Sequence, residues 1–547
     1  MKKLPFFTQT FSEIIESDRV YVDKTKYIHR LMTGKKAYFL SRPKRFGKSL
    51  LLDVINELFN GRRDLFNGLY IEKSTDYDFP KHPVIKFSMN YAKNMTAEPL
   101  KKNIKGDLLR IANMEQLKIS EQSYDKILIS LLEKLTEKYG GTKVVVLVDE
   151  CDDPVAKNIG QLPVAQENRR VMDGFYAALK KAEAYLRFVF VVGMTRLAVG
   201  SCGGGPDNLV DISLEPEYSG ICGFTMQEIE QYFGDRMPET LETLIKRGLL
   251  DSLSTQDDFK KRIVRWYDGY NFGSEPRVMN PISIINLFEQ KKFSDYWYQN
   301  CRPIRLPEPP ETNPLDYLDL KLDGHHGSII KRVQLNGLEP ISVLFHSGFL
   351  TIDKIALTAN EYGILVDDYS FKYPNFDVRA SFIRYCLESV FSIRATEFQM
   401  TSKVLLSAFL TKDVKMTCTI FKNILGTVMD FQHATDERYF YNLIRIALLG
   451  MRFEECGDGR FAVKRSDLAL FLTDDVRLVI EFRYRHKTKS KAHDSTRHEL
   501  AKGLQDAKGA LKTKQYAGPW LSHAKKVILM ALVIHDRDDI LAEFVEE

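Results

Sequence analysis

Ala37-Tyr38-Phe39-Leu40-Ser41-Arg42-Pro43-Lys44-Arg45-Phe46-Gly47-Lys48-Ser49-Leu50-Leu51-Leu52, residues 37–52, reads in turn as strand, loop and helix. The apolar run 37–41 has the length of a short strand. Residues 42–49 form a basic loop, and 48–59 (KSLLLDVINELF) follow a helical pattern. The loop ends as a Walker A loop ends, Gly-Lys-[Ser/Thr], with Arg42 standing where that pattern has its first glycine. The chemistry accounts for the residue types. Gly47 lets the backbone come close to phosphate oxygens, Lys48 sets a point charge on the β- and γ-phosphates, and the Ser49 hydroxyl serves Mg²⁺. The helix start adds free N–H groups and a partial positive charge. With Arg45 from the same loop, these are the expected nucleotide-binding residues. A basic turn that only caps a helix is the competing reading, and the strand–loop–helix context weighs against it.

A second signal lies at Lys143–Glu150, KVVVLVDE, a β-branched run that ends in two carboxylates. Paired with the loop, it reads as a Walker B strand. Asp149 is expected in the Mg²⁺ shell, and Glu150 is expected to orient or deprotonate the attacking water. Thr195 and Arg196 close the next apolar run, RFVFVVGM (187–194). Thr195 there is either a γ-phosphate sensor or a plain polar strand end. Runs apolar on both faces suit a parallel sheet covered by helices, so the fold class is α/β.

The 547 residues exceed what one hydrophobic core organises. The expected domains are a P-loop ATPase core over 1–215, a helical lid over 216–300, a Pro-rich linker with a small, mainly helical middle domain over 301–430, and a C-terminal α/β domain over 431–547. With 44% hydrophobic and 28% charged residues the chain is globular, and a net charge of +5 excludes a wholly basic nucleic-acid coat. The cysteines are scattered, odd in number and without a Cys-x-x-Cys pair, which argues for a reducing compartment and against a disulfide framework or structural zinc. No apolar run is long enough for a signal peptide or a membrane span, so the cytosol is the expected location, with no membrane partner.

Several segments, in order along the chain, resemble the AAA-ATPase-like family found fused to a PD-(D/E)XK nuclease domain. They include Tyr21-Val22-Asp23-Lys24-Thr25, the loop 42–49, and Val148-Asp149-Glu150 with Asp152 and Pro154 after it. Asn208-Leu209, Asp211-Ile212, Gly223-Phe224-Thr225, Trp266-Tyr267-Asp268-Gly269-Tyr270, Asn280-Pro281, Gly348-Phe349-Leu350-Thr351 and Tyr373-Pro374-Asn375 continue the set. The resemblance implies ATP and Mg²⁺ as cofactors. It makes Arg42 normal for the family and implies a restriction-endonuclease-like fold at the C-terminus.

At that end the expected metal-binding and catalytic residues are Asp467 and Glu481, with Arg483 on the same strand face as Glu481. Glu437 resembles the extra acid that many such nucleases carry. The family usually has lysine where this chain has Arg483. A guanidinium stays charged and cannot act as a base. Residues 483–514 carry ten Lys/Arg against three acids. Beside Glu481 that excess favours a nucleic-acid backbone over a plain solvated loop. Three functions remain open: an ATP-dependent, metal-dependent nuclease on DNA or RNA, an ATP-dependent nucleic-acid-binding switch that does not cut, and, least favoured, an ATPase scaffold for a protein partner. A homo-oligomer is compatible with each. The aromatic run 266–270 is expected to pack the lid against the core, and Gly324-His325-His326-Gly327 is expected to be loop.

Overall fold

The computed structural model describes residues 1–6, 8–195, 197, 209–297, 320, 322–331, 335, 339–359, 362–391, 395–426, 437–451, 453–456, 467–473, 475–485, 493–513, 524–535 and 539–545. Arg196, Asn208, Cys202, Cys301, the Pro-rich segment 301–314 and most of the basic loop after Arg485 lie outside them. So does the side chain of Asp467. The chain divides into two compact units. One comprises 1–309 and 322–378, the other 310–321 and 379–547.

In the first unit the strands are β1 (Ala37–Ser41), β2 (Val84–Ser88), β3 (Val144–Asp149), β4 (Leu186–Gly193) and β5 (Val210–Asp211). They form one all-parallel sheet in the order β2-β3-β4-β1-β5. Every residue of β3 is buried, as is nearly all of β4. That burial is why their sequences run apolar on both faces instead of alternating. Helices α1 (Phe11–Glu16), α2 (Thr25–Thr33), α3 (Lys48–Phe59), α4 (Ala97–Met114), α5 (Tyr124–Lys138) and α6 (Leu162–Lys181) belong to the same unit. In α4, Leu100, Ile104, Leu108 and Ala112 recur every four residues, and all are buried in the core cluster with Ile127, Leu131 and Phe175. At about 1.5–3 kcal/mol for each large apolar side chain fully buried, this cluster dominates the stability of the sheet layer.

Four further helices follow: α7 (Met226–Phe233), α8 (Met237–Lys246), α9 (Gln256–Tyr267) and α10 (Pro281–Gln290). Ile229, Phe233, Leu244, Ile263 and Leu287 from these helices bury against Val20 and Val22 of the N-terminal segment. Thr225 and Glu228 form a reciprocal capping box at the start of α7.

Residues 322–378 group with this unit, whereas the sequence reading drew boundaries at 300 and 430. They contain β6 (His325–His326), α11 (Pro340–Ser347), β7 (Thr351–Ala359) and β8 (Leu365–Lys372). Specific bonds hold them there. Tyr270 Oη donates to Gly348 O at 2.8 Å, Ser283 Oγ donates to Asp377 at 3.0 Å, and Trp297 N donates to the same carboxylate. The expected hairpin is present as β7 and β8. His325 and His326 are a correction: they form a short strand pairing with β8, not loop.

In the second unit, helices α12 (Ala395–Thr411), α13 (Val414–Gly426) and α14 (Glu437–Gly450) precede a mixed sheet. Its strands are β9 (Glu454–Glu455), β10 (Asp467–Phe471), β11 (Val476–Tyr484), β12 (Lys526–Ile534) and β13 (Ile540–Val545), in the order β13-β12-β11-β10-β9. β11 and β12 run parallel, joined through the helix α15 (His493–Thr513), and the remaining pairs are antiparallel. Among the described residues, no helix is long and apolar enough to cross a membrane.

Candidate functional site

Because all five strands of the first sheet are parallel, their carboxyl ends open on one edge, the usual ligand edge of such sheets. Ser41 pairs with Gly193 and Val148 with Val191, which brings the loop after β1, the acidic end of β3 and the end of β4 side by side. A cavity of about 500 Å³ lies there. It is lined by Arg45, Gly47, Lys48, Ser49, Asp149 and Glu150, among others.

The phosphate loop is shaped by two left-handed residues, Arg45 at φ 65° and Gly47 at φ 93°. A Cβ on Gly47 would meet no atom within 4 Å, so the glycine is required by its backbone angle, with open space in front of it. The first turn of α3 has no side-chain cap and no acidic residue, which leaves its N–H groups to a ligand. Lys48 Nζ donates to the carbonyls of Arg42 at 2.8 Å and Pro43 at 2.9 Å. Desolvation pushes its pKa down, and the field of Asp152, Asp149 and Glu150 partly restores it. The loop is tied to the segments around Gly223 and Asn280 by Asn280 Nδ2 donating to Lys44 O at 3.3 Å and by Gly223 N donating to Phe46 O at 3.2 Å.

On the acidic side, Asp149 Oδ1 accepts from Glu150 N at 2.9 Å. Glu150 has φ 51°, and its Oε2 accepts from Ser88 Oγ at 3.1 Å. Burial raises the Glu150 pKa first, and repulsion from Asp153 and Asp149 adds to it. A carboxylate so raised is a better proton acceptor than an ordinary one. For Mg²⁺, the Ser49 hydroxyl and the Asp149 carboxylate are hard oxygen donors that line the same cavity. They match an ion held by one or two protein oxygens, with phosphates and water completing its shell.

Thr195 is buried and spends its hydroxyl on Asp152 Oδ2 at 2.9 Å; its N–H goes to the same oxygen at 2.7 Å. Thr195 does not line the cavity, whereas Asp152 does. The sequence reading assigned no role to Asp152, which organises the end of β4 through Met194 N and Thr195. The signal was present, since Asp152 stands two residues after Glu150 in the acidic run. Lys24 and Cys222 also line the cavity, and its apolar wall comes from Ile14, Val20, Val22, Phe224 and Ile282. None of these had been placed at the site. The aromatic run 266–270 lines no part of it. Tyr270 packs edge-on against Phe46 at 4.8 Å, behind the loop.

In the second unit, Asp467 and Glu481 face each other in the antiparallel register of β10 and β11. Glu481 is fully buried, and its Oε1 lies 2.6 Å from Arg483 Nη2. Arg483 Nη1 donates to Phe482 O at 2.7 Å. Glu437 Oε2 accepts from Tyr484 N at 3.1 Å. The guanidinium thus takes a place on Glu481 that a cation would need. Among the described residues, no three His, Cys, Asp or Glu side chains form a metal-holding group. Arranged this way, one oxygen of Glu481 is held by Arg483.

Residues 5–202 match the AAA-ATPase-like family, described as predicted AAA-ATPase. The chain is 31% identical over 402 residues to a protein of Azotobacter chroococcum mcd 1 described as an uncharacterised protein in the vnfD 5′ region, covering 72% of this chain and 73% of that one. A solved structure, the Aeropyrum pernix ORC1 protein in complex with DNA, aligns with 66% of this chain and 91% of its own at 10% identity and a TM-score of 0.22.

Proposed function

We propose that this chain, which belongs to the predicted AAA-ATPase family, binds ATP as its magnesium complex through Gly47, Lys48, Ser49 and Asp149 and hydrolyses it with Glu150 as the water-positioning base. One observation carries the reading. A cationic loop at a helix start and an acidic strand end, about a hundred residues apart in sequence, line a single cavity of about 500 Å³. In it the backbone amides after Gly47 and the Lys48 ammonium take the phosphates. Mg²⁺, when bound by Ser49 and Asp149, offsets the charge that builds on the leaving phosphates. Glu150 takes the proton of the attacking water, and the apolar wall around Val20, Val22 and Ile282 receives the base. Thr195 acts through Asp152 and does not itself touch phosphate.

Isothermal titration with Mg·ATP tests this. Lys48→Ala is expected to abolish binding, and Glu150→Gln to keep binding while slowing hydrolysis by about 10²–10⁴. Wild-type turnover in both variants would refute the assignment.

For the second unit, the Glu481–Arg483 pair favours the reading in which the domain grips nucleic acid without cutting it. The local positive excess of 483–514 supplies the affinity, which should fall steeply with salt. Incubation of plasmid and single-stranded DNA or RNA with Mg²⁺ or Mn²⁺, with and without ATP, decides between the readings. Cleavage by wild type that disappears in Glu481→Ala would restore the nuclease.

A further inference from the structure

Arg42, the first residue of the phosphate loop, has no part in the reading above, yet its surroundings are those of a charge lacking a counter-ion. It is 1% exposed. Its Nη1 donates to the carbonyls of Ser41 at 2.9 Å and Ser213 at 2.7 Å, and its Nη2 donates to Tyr218 O at 3.0 Å. The ring of Phe272 lies 4.0 Å from its guanidinium carbon. All of these partners are neutral. Among the described residues it forms no ion pair. Asp211, the acid whose field it feels, commits Oδ1 to Ser213 N. The Nε of Arg42 is buried with no hydrogen-bond partner.

Burial pushes the guanidinium pKa down to about 10, which still leaves it charged at neutral pH. Buried charges in stable proteins are paired, because an uncompensated one carries a large desolvation penalty. Here the Arg42 carbonyl also receives the Lys48 ammonium, so two cations lie at the two ends of one loop. Arg42 does not itself line the nucleotide cavity, so an anion seated on the loop would offset its charge through the field and not by contact.

We propose that Arg42 is a positioning residue of the phosphate site. Its fork pins the entrance of the loop to the Ser213–Tyr218 segment, and its unpaired charge is offset by the phosphates of the bound nucleotide. The arginine in place of a Walker glycine then has a function of its own: it trades backbone freedom for a fixed, buried positive charge behind the phosphates. This rests on the nucleotide reading above and extends it to the number of phosphates recognised.

The test is titration of wild type, Arg42→Gln and Arg42→Lys with Mg·ATP, Mg·ADP and AMP. A buried charge acts on each phosphate, whereas a merely structural defect weakens all three ligands alike. The expected result for Arg42→Gln is a loss that grows with phosphate number, at least tenfold larger for ATP than for AMP. Arg42→Lys keeps the charge and loses the fork, so it should bind all three more weakly while keeping the wild-type ratios between them. Equal losses for the three ligands in Arg42→Gln, or no loss, would overturn the proposal. If Arg42→Gln does not fold, the lysine variant decides: altered ATP-to-AMP ratios there would overturn it as well. Failure of wild type to bind any of the three is a separate outcome, which removes the nucleotide reading itself and this inference with it.

Discussion

Glu228→Gln isolates one buried charge in the wall of the nucleotide cavity. Lys24 Nζ lies 2.6 Å from Glu228 Oε1 and donates to Gly220 O at 2.9 Å; the two side chains are 9% and 19% exposed. Glutamine can still accept from Thr225 N, as Glu228 Oε2 does now at 2.8 Å, so the capping box of α7 survives the substitution. What disappears is the counter-charge of Lys24. An unpaired buried lysine costs about 3–5 kcal/mol. Losing its proton caps that cost. Neutralising a lysine of ordinary pKa near 10.4 at pH 7 takes about 4.6 kcal/mol, at about 1.36 kcal/mol per unit. With the Gly220 carbonyl retained, a deficit of about 3–4 kcal/mol at pH 7 follows. Burial already lowers the Lys24 pKa, with Glu228 opposing the shift, and the substitution removes that opposition. A lysine with a depressed folded-state pKa binds fewer protons folded than unfolded between the two values. Stability there rises with pH and is lost as pH falls through the folded value. The deficit of Glu228→Gln relative to wild type should therefore shrink toward about 1 kcal/mol near pH 10. Urea unfolding of the full chain carrying Trp520→Phe, followed by tryptophan fluorescence, can read it, since the remaining Trp266 and Trp297 both belong to the N-terminal unit. Lys24→Met combined with Glu228→Gln should recover at least half of the loss and most of the pH dependence. A deficit that stays flat between pH 7 and 9.5, or a double variant as unstable as the sum of its parts, would refute the reasoning.

Gly193→Ala would place a methyl group 2.6 Å from Asp152 Oδ1 and 2.8 Å from Cys151 Sγ; displacing the carboxylate that holds Thr195 should cost about 1–3 kcal/mol and at least tenfold in ATP turnover, checked by thermal melting and a phosphate-release assay. Because burial and two neighbouring acids raise the Glu150 pKa, ATP turnover should fall with acid at a pH above the ordinary glutamate value of about 4.3, and a pH–rate profile with no acidic limb above that value would remove Glu150 as the base. Arg483→Leu strips the guanidinium from the fully buried Glu481, so the second unit should lose about 2–4 kcal/mol at pH 7. Urea unfolding of wild type and variant at pH 7 checks it, and a loss well under about 1 kcal/mol would show that the guanidinium does not stabilise the buried carboxylate.

How much of this was legible in the sequence depended on the range of the interactions involved. The strand at 144–149 and the helix at 48–59 emerged near their expected limits, because burial on both faces and a 3.6-residue period are written into adjacent residues. The helix Ala97–Met114 was passed over. Lys101, Lys102, Lys105 and Arg110 interrupt its apolar positions, and only packing against the core reveals the stripe of Leu100, Ile104 and Leu108. The last strand, Ile540–Val545, was also missed. Its pairing partner is β12, and a short strand with Glu543 in it carries little alternation of its own.

By itself the sequence determined the local chemistry. It placed Gly47 where a left-handed turn precedes a helix, Lys48 and Ser49 at that helix start, and Asp149 and Glu150 at the tip of a buried strand, because each choice follows from backbone and side-chain properties of neighbouring residues. Which distant groups meet was left to the tertiary structure. Strand order brings Ser41 beside Gly193 and Thr195 beside Asp152, and the packing of helices carries Lys24 to Glu228 across some two hundred residues. The tertiary structure also sets Arg42 among neutral carbonyls, whereas Arg483 meets Glu481 at the two-residue spacing the sequence already showed. The physical reason is that the energy of a buried charge is set by what surrounds it in space, and no spacing along the chain records that.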